Sequence, residues 1–90
     1  MNAEDDPGGH RRAKAAHERA ARTHDRAAEL HEESASFHDE HAVEMDDKGH
    51  PDRSERARRI ADQERELADH ERARADKHRR RAEAEPVPEG

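Results

Sequence analysis

Histidine recurs at every seventh position in the first half of this chain, at His10, His17, His24, His31 and His38. Seven residues is the coiled-coil period, so the spacing lays five imidazoles along one line of a helix. Imidazole is both a transition-metal ligand and the side chain whose charge changes near neutral pH. The chemistry on offer is therefore metal binding and proton response. At ~1.5 Å per residue, consecutive ladder positions lie ~10.5 Å apart along the helix axis. That is too far for one ion that binds imidazole nitrogen at ~2.0–2.1 Å. A chelate within one helix needs (i, i+3) or (i, i+4) spacing, and among the histidines only His38 and His41 have it. They form the best local seed for Zn²⁺, Ni²⁺ or Cu²⁺, with Glu44 and Met45 following on the same helix face. His70 and His78 are eight apart and form no such pair. The ladder offers a second route to metal between helices: in a symmetric dimer, His17, His24 or His31 of one chain would face histidine or glutamate of the other chain. Haem ligation has the same geometry, but the large apolar residues that would line a haem pocket are nearly missing.

The elements that must position these rings are legible in the same repeat. Counting each histidine as zero, alanine holds the third place after it at Ala13, Ala20 and Ala27, and the fourth at Ala21, Ala28, Ala35 and Ala42. On a helix these positions share one face. The histidines are thus expected in the middle of an alanine stripe. Burial there favours neutral imidazole, unless the acidic neighbours Glu18, Asp25, Glu32 and Asp39 offset the charge of the protonated ring.

From His10 to Asp46 there is no proline or glycine, which predicts a helix over 10–46. Gly49 suits the residue just past a helix end, and Pro51 prevents continuation, giving a loop over 47–51. Asp52 with Glu55 three residues later reads as a capping box opening a second helix over 52–85. Its alanine line is Ala61, Ala68, Ala75 and Ala82, flanked by the pairs Asp62–Arg65, Asp69–Arg72 and Asp76–Arg79. Residues 1–9 and 86–90 read as disordered tails. The fold class is all-α: a two-helix antiparallel hairpin, coiled-coil-like, open to dimerising into a four-helix bundle. Folding back at Gly49 should gather Leu30, Phe37, Val43, Met45, Ile60 and Leu67 into one apolar cluster near the loop.

Composition narrows the function classes. Charged residues make up 47% of the 90 residues and hydrophobic ones 28%, mostly alanine, so a single chain has little large apolar surface to bury. Self-association or marginal folding is expected. With no cysteine there is no disulfide or thiolate site. No window approaches a membrane span, and the N-terminal residues lack a basic and an apolar region of a signal peptide, so a cytoplasmic location is expected. The net charge is −6 with neutral histidine, and protonating all nine imidazoles would carry it past zero. The basic stretch over 72–81 lacks the stacking aromatics of a nucleic-acid surface, and the chain is acidic overall. No nucleophile–histidine–acid arrangement, metalloprotease motif or phosphate-binding glycine loop is present, so no enzyme is expected.

The repeat His-[Glu/Asp]-Arg-Ala-Ala at His17–Ala21 and His24–Ala28 resembles small His/Ala-rich heptad-repeat helical proteins of bacteria, of the actinobacterial type. The resemblance spans about residues 10–83, implies helices and no known activity, and transfers no functional residue. The chain also looks like stress-associated hydrophilins in its polarity and lack of aromatics. It departs from the late-embryogenesis-abundant pattern in its seven-residue repeat and its histidines. The expectation is a non-enzymatic structural or interaction protein, a self-associating hairpin with a pH- or metal-responsive histidine seam. The alternatives are a hydrophilin-like stress protectant and a dedicated transition-metal-binding protein. Partners are a second copy of the chain or another protein.

Overall fold

The computed structural model describes residues 7–86. Two helices, α1 (Pro7–Asp47) and α2 (Pro51–Ala84), fold back on each other as an antiparallel hairpin. The rod measures 70 × 17 × 14 Å. Both helices start at a proline, whose fixed φ suits a first helical turn and whose missing N–H costs nothing there. Consequently α1 begins three residues before the expected 10 and takes in Gly8 and Gly9. Residues 1–6 and 87–90 of the expected tails lie outside the described residues. The capping box is not formed. His50 occupies the N-cap with no side-chain cap bond, and Asp52 sits inside the first turn, where its charge opposes the positive helix end.

The turn is fixed by backbone hydrogen bonds. His50 N donates to Met45 O at 2.8 Å, and Gly49 N donates to Asp46 O at 3.0 Å. This pair of bonds is a Schellman motif, and it requires the left-handed φ of +78° that Gly49 adopts. The turn in turn fixes the register of everything beyond it.

The core is a seam of alanine against alanine. Ala21, Ala28, Ala35 and Ala42 of α1 pack on Ala61, Ala68, Ala75 and Ala82 of α2, all at most 4% exposed. Ser54 continues the α2 line toward the loop, fully buried, and its hydroxyl accepts from the Arg58 guanidinium. Met45 and Ala57 close the seam at the turn. Side chains this small let two helices approach closely.

Two expectations about packing are corrected. The large apolar residues do not form the core: Leu30, Phe37, Val43 and Leu67 are 46–65% exposed, and of the six only Met45 is buried. Leu30 lies two residues beyond Ala28, about 200° around the helix at ~100° per residue. Closing the seam on alanine therefore turns Leu30 outward. The histidines also do not occupy the middle of the stripe. Of the two alanine lines in α1, the one four after each histidine is buried, while Ala13, Ala20 and Ala27 stay half-exposed. That choice moves the imidazoles to one edge of the seam.

Candidate functional site: an imidazole ladder across the hairpin

Four of the five ladder histidines reach α2. His10 Nδ1 lies 2.9 Å from Glu85 Oε2, and His24 Nδ1 lies 2.5 Å from Glu71 Oε2. His31 Nδ1 lies 2.5 Å from Glu64 Oε2. Between the first two rungs, His17 Nδ1 lies 3.0 Å from Nδ1 of His78. Each heptad forward on α1 is met by one heptad backward on α2, so the rungs repeat in strict antiparallel register. The rings and carboxylates are 18–31% exposed, sheltered by the alanine seam but open to protons.

The rungs differ in chemistry. In the His–Glu rungs Nδ1–H donates to the carboxylate, and a protonated ring makes the contact an ion pair. Glu71 is held below the usual carboxylate range, first by the His24 hydrogen bond and then by the charges of His24, Arg74 and His31. In the His17–His78 rung one Nδ1–H donates to the lone pair of the other Nδ1, so at least one ring must be neutral. His78 also stacks on His24, with ring centroids 5.4 Å apart and planes 13° apart. Burial lowers the His78 pKa, and the charges of His17, His24, Arg81 and Lys77 lower it further.

A second ladder runs along the opposite edge of the seam. Arg58, Arg65, Arg72 and Arg79 of α2 cross to Asp46, Asp39, Glu32 and Asp25 of α1. Three of these guanidiniums also hold the carboxylate three residues before them, Asp62 at 3.2 Å, Asp69 at 3.2 Å and Asp76 at 2.9 Å. The acidic stretch of α1 and part of the basic stretch of α2 therefore neutralise each other inside one chain. Single exposed pairs of this kind contribute only ~0.2–1 kcal/mol, but their repetition reinforces the register.

His17, His24 and His31 reach His78, Glu71 and Glu64 of the same chain, whereas the expectation set them against a second chain. His78 and the three glutamates were missed by reasoning on single-helix spacing. Their signal was the polar line one step beside the α2 alanines, readable only once the register was known. His38 and His41 stand apart from the ladder. Opposite His38 the α2 line carries Ala57, and the His38 ring meets Phe37 edge-on at 5.5 Å instead. His41 is exposed, with its Nδ1 4.0 Å from Glu44. Among the described residues, no group of three or more histidines and carboxylates is arranged to hold a metal ion. No described helix is long and apolar enough to cross a membrane. The chain matches no protein family, no curated protein and no solved structure.

Proposed function

We propose that this chain is a non-enzymatic interaction module, a hairpin that pairs with a second copy and whose stability is set by the protonation of its histidine seam. The observation that supports this reading is the ladder itself: imidazoles at one-heptad steps, each against a titratable group of the other helix. Protonation acts on the rungs with opposite sign. It turns each His–Glu rung into an ion pair, and it removes the shared proton bond of His17 and His78, leaving two like charges together. The groups facing that pair are His24, Arg81 and Lys77, all of which disfavour a second positive charge.

A second copy is the partner suited to the exposed apolar residues. Leu30 and Phe37 lie on the outer side of α1, about 200° around from its buried alanines, while Leu67 and half-buried Ile60 flank the α2 seam on the side of the imidazole ladder. The other edge of the seam carries the arginine–carboxylate ladder and suits water. Burying an exposed Leu or Phe side chain contributes roughly 1.5–3 kcal/mol, so a few of them supply a dimer of moderate strength. Sedimentation at pH 8 and pH 5.5, with His78→Gln alongside, tests the reading. A discrete dimer at pH 8 that weakens at pH 5.5 in the parent and not in the variant is expected. A monomer at every concentration would remove self-association, and identical melts at both pH values would remove the proton response.

A transition-metal reading has one observation in its favour. Two Nδ1 atoms at 3.0 Å are spaced as two ligands of one ion, which would replace the shared proton. Zn²⁺, Ni²⁺ or Cu²⁺ would then raise the melting temperature of the parent and not of His17→Gln.

A further inference from the structure

The α2 line facing the histidines carries Glu64, Glu71, His78 and Glu85, but at its first position Ala57. The space that a fifth glutamate would occupy is a groove of about 270 Å³, lined by His38, His41, Arg53, Arg56, Ala57 and Ile60. We propose that this groove is an anion site for a phosphate monoester carrying a small apolar group. All six lining residues belong to one chain, so the proposal stands whether or not the hairpin dimerises.

A groove over Arg19, Arg22, Thr23 and Arg26 also has no carboxylate in its lining, but it lies on α1 alone and has no imidazole; this groove joins two arginines of α2 to two imidazoles of α1. Arg58, Arg65, Arg72, Arg74 and Arg79 each hold at least one carboxylate. The groove between Arg72 and Arg79 contains Asp25, Glu29 and Asp76 and is balanced by them. Arg53 and Arg56 make no ion pair with any described residue, and no carboxylate lines their groove. Glu44 lies 4.0 Å from His41, outside the groove's lining, and is held by Lys48 at 2.8 Å. Arg53 also stands in the first turn of α2, where the helix end adds positive potential. Two guanidiniums and two imidazoles from both helices therefore line one groove that has no carboxylate in its lining.

That surplus decides the ligand class. A metal cation at His38 and His41 would sit beside two permanent positive charges. An anion at the same place gains charge-assisted hydrogen bonds from both arginines. A phosphate monoester, with three terminal oxygens and up to two negative charges, uses four donor side chains more fully than a carboxylate does. Ala57 and Ile60 supply an apolar floor, and the 65% exposed Phe37 ring stands beside His38 to cover the organic part.

The test is titration of the full chain with phenyl phosphate, following the imidazole resonances by NMR. Saturable shifts of the His38 and His41 rings, with His10 and His24 unmoved, are expected. Arg53→Gln with Arg56→Gln should weaken binding by about tenfold or more, with helicity unchanged, because neither side chain makes an ion pair with another described residue. Ala57→Glu fills the groove as Glu64 and Glu71 fill theirs, so it should abolish binding while retaining the helices. No saturable shift at millimolar phenyl phosphate, or binding that survives either variant, would overturn the proposal. So would Zn²⁺ saturating the same two rings while phenyl phosphate leaves them unmoved. Binding confined to phosphatidic acid vesicles, with phenyl phosphate inert, would overturn it in favour of a lipid surface.

Discussion

His17 Nδ1 lies 3.0 Å from His78 Nδ1 across the hairpin, although 61 positions separate the two residues in the chain. The contact joins the two helices only while the pair carries no more than one proton beyond the neutral state. It makes the part of the rod toward its open end, far from the Gly49 turn, a place where acid acts directly on helix–helix packing.

Two pH windows follow from the lowered pKa values. For His78 the folded-state value lies below the ordinary 6.5, so the unfolded chain binds the proton more readily. The stability His78 contributes is complete above about 6.5 and is lost as pH falls through the lower, folded value. For Glu71, lowered from 4.5, stability is present above 4.5 and is lost below it as the carboxylate protonates. Thermal melts from pH 8 to pH 3 should show both losses in the parent. His78→Gln should flatten the first and leave the second. A variant whose profile overlays that of the parent would show that this rung carries no pH dependence.

The alanine seam should reject larger side chains. Ala68 is fully buried against α1, so Ala68→Leu forces the helices apart and costs about 1–3 kcal/mol. Chemical denaturation would detect this as a lower midpoint. Leu67→Ala, one residue away and 46% exposed, should leave the monomer's midpoint nearly unchanged.

Gly49→Ala tests the turn. An added Cβ at Gly49 meets nothing within 4 Å, so the penalty is pure backbone strain at φ +78°. Roughly 1–2 kcal/mol is expected from the left-handed conformation, and Gly49→Asn should recover part of it, since asparagine tolerates that region. Equal stability of all three proteins in denaturant melts would contradict the role given to the Schellman turn.

The arginine edge should respond to salt. Arg65 holds both Asp39 and Asp62 at a half-exposed position, so Arg65→Gln should cost ~0.2–1 kcal/mol in dilute buffer. At 1 M salt the Debye length falls to about 3 Å, and the difference between parent and variant should shrink. A penalty independent of salt would assign Arg65 a packing role instead.

Phe37→Ser combined with Leu30→Ser tests the pairing of two copies. Both residues are at least half exposed in the single chain, so helicity should persist while the dimer constant weakens by tenfold or more. An unchanged sedimentation profile would place the contact elsewhere on the rod.

The local signals in the chain were strong where chemistry is local. Uninterrupted Ala, Glu and Arg specify the helices, Gly49 and Pro51 specify the turn between them, and Asp62–Arg65, Asp69–Arg72 and Asp76–Arg79 form as their spacing implied. The heptad placed His17, His24 and His31 on the face toward the second helix, because the direction of a side chain depends only on its position along α1. The tertiary structure decided which of two adjacent alanine lines would close. Burying Ala21, Ala28, Ala35 and Ala42 turned Leu30 and Phe37 outward, set the rings at the seam's edge and matched them with Glu64, Glu71, His78 and Glu85. That choice depends on the register between two helices, which the period of either helix alone leaves open by whole heptads. The turn at Gly49 settles it, and with it sets Ala57, where the other heptads carry glutamate or histidine, opposite His38.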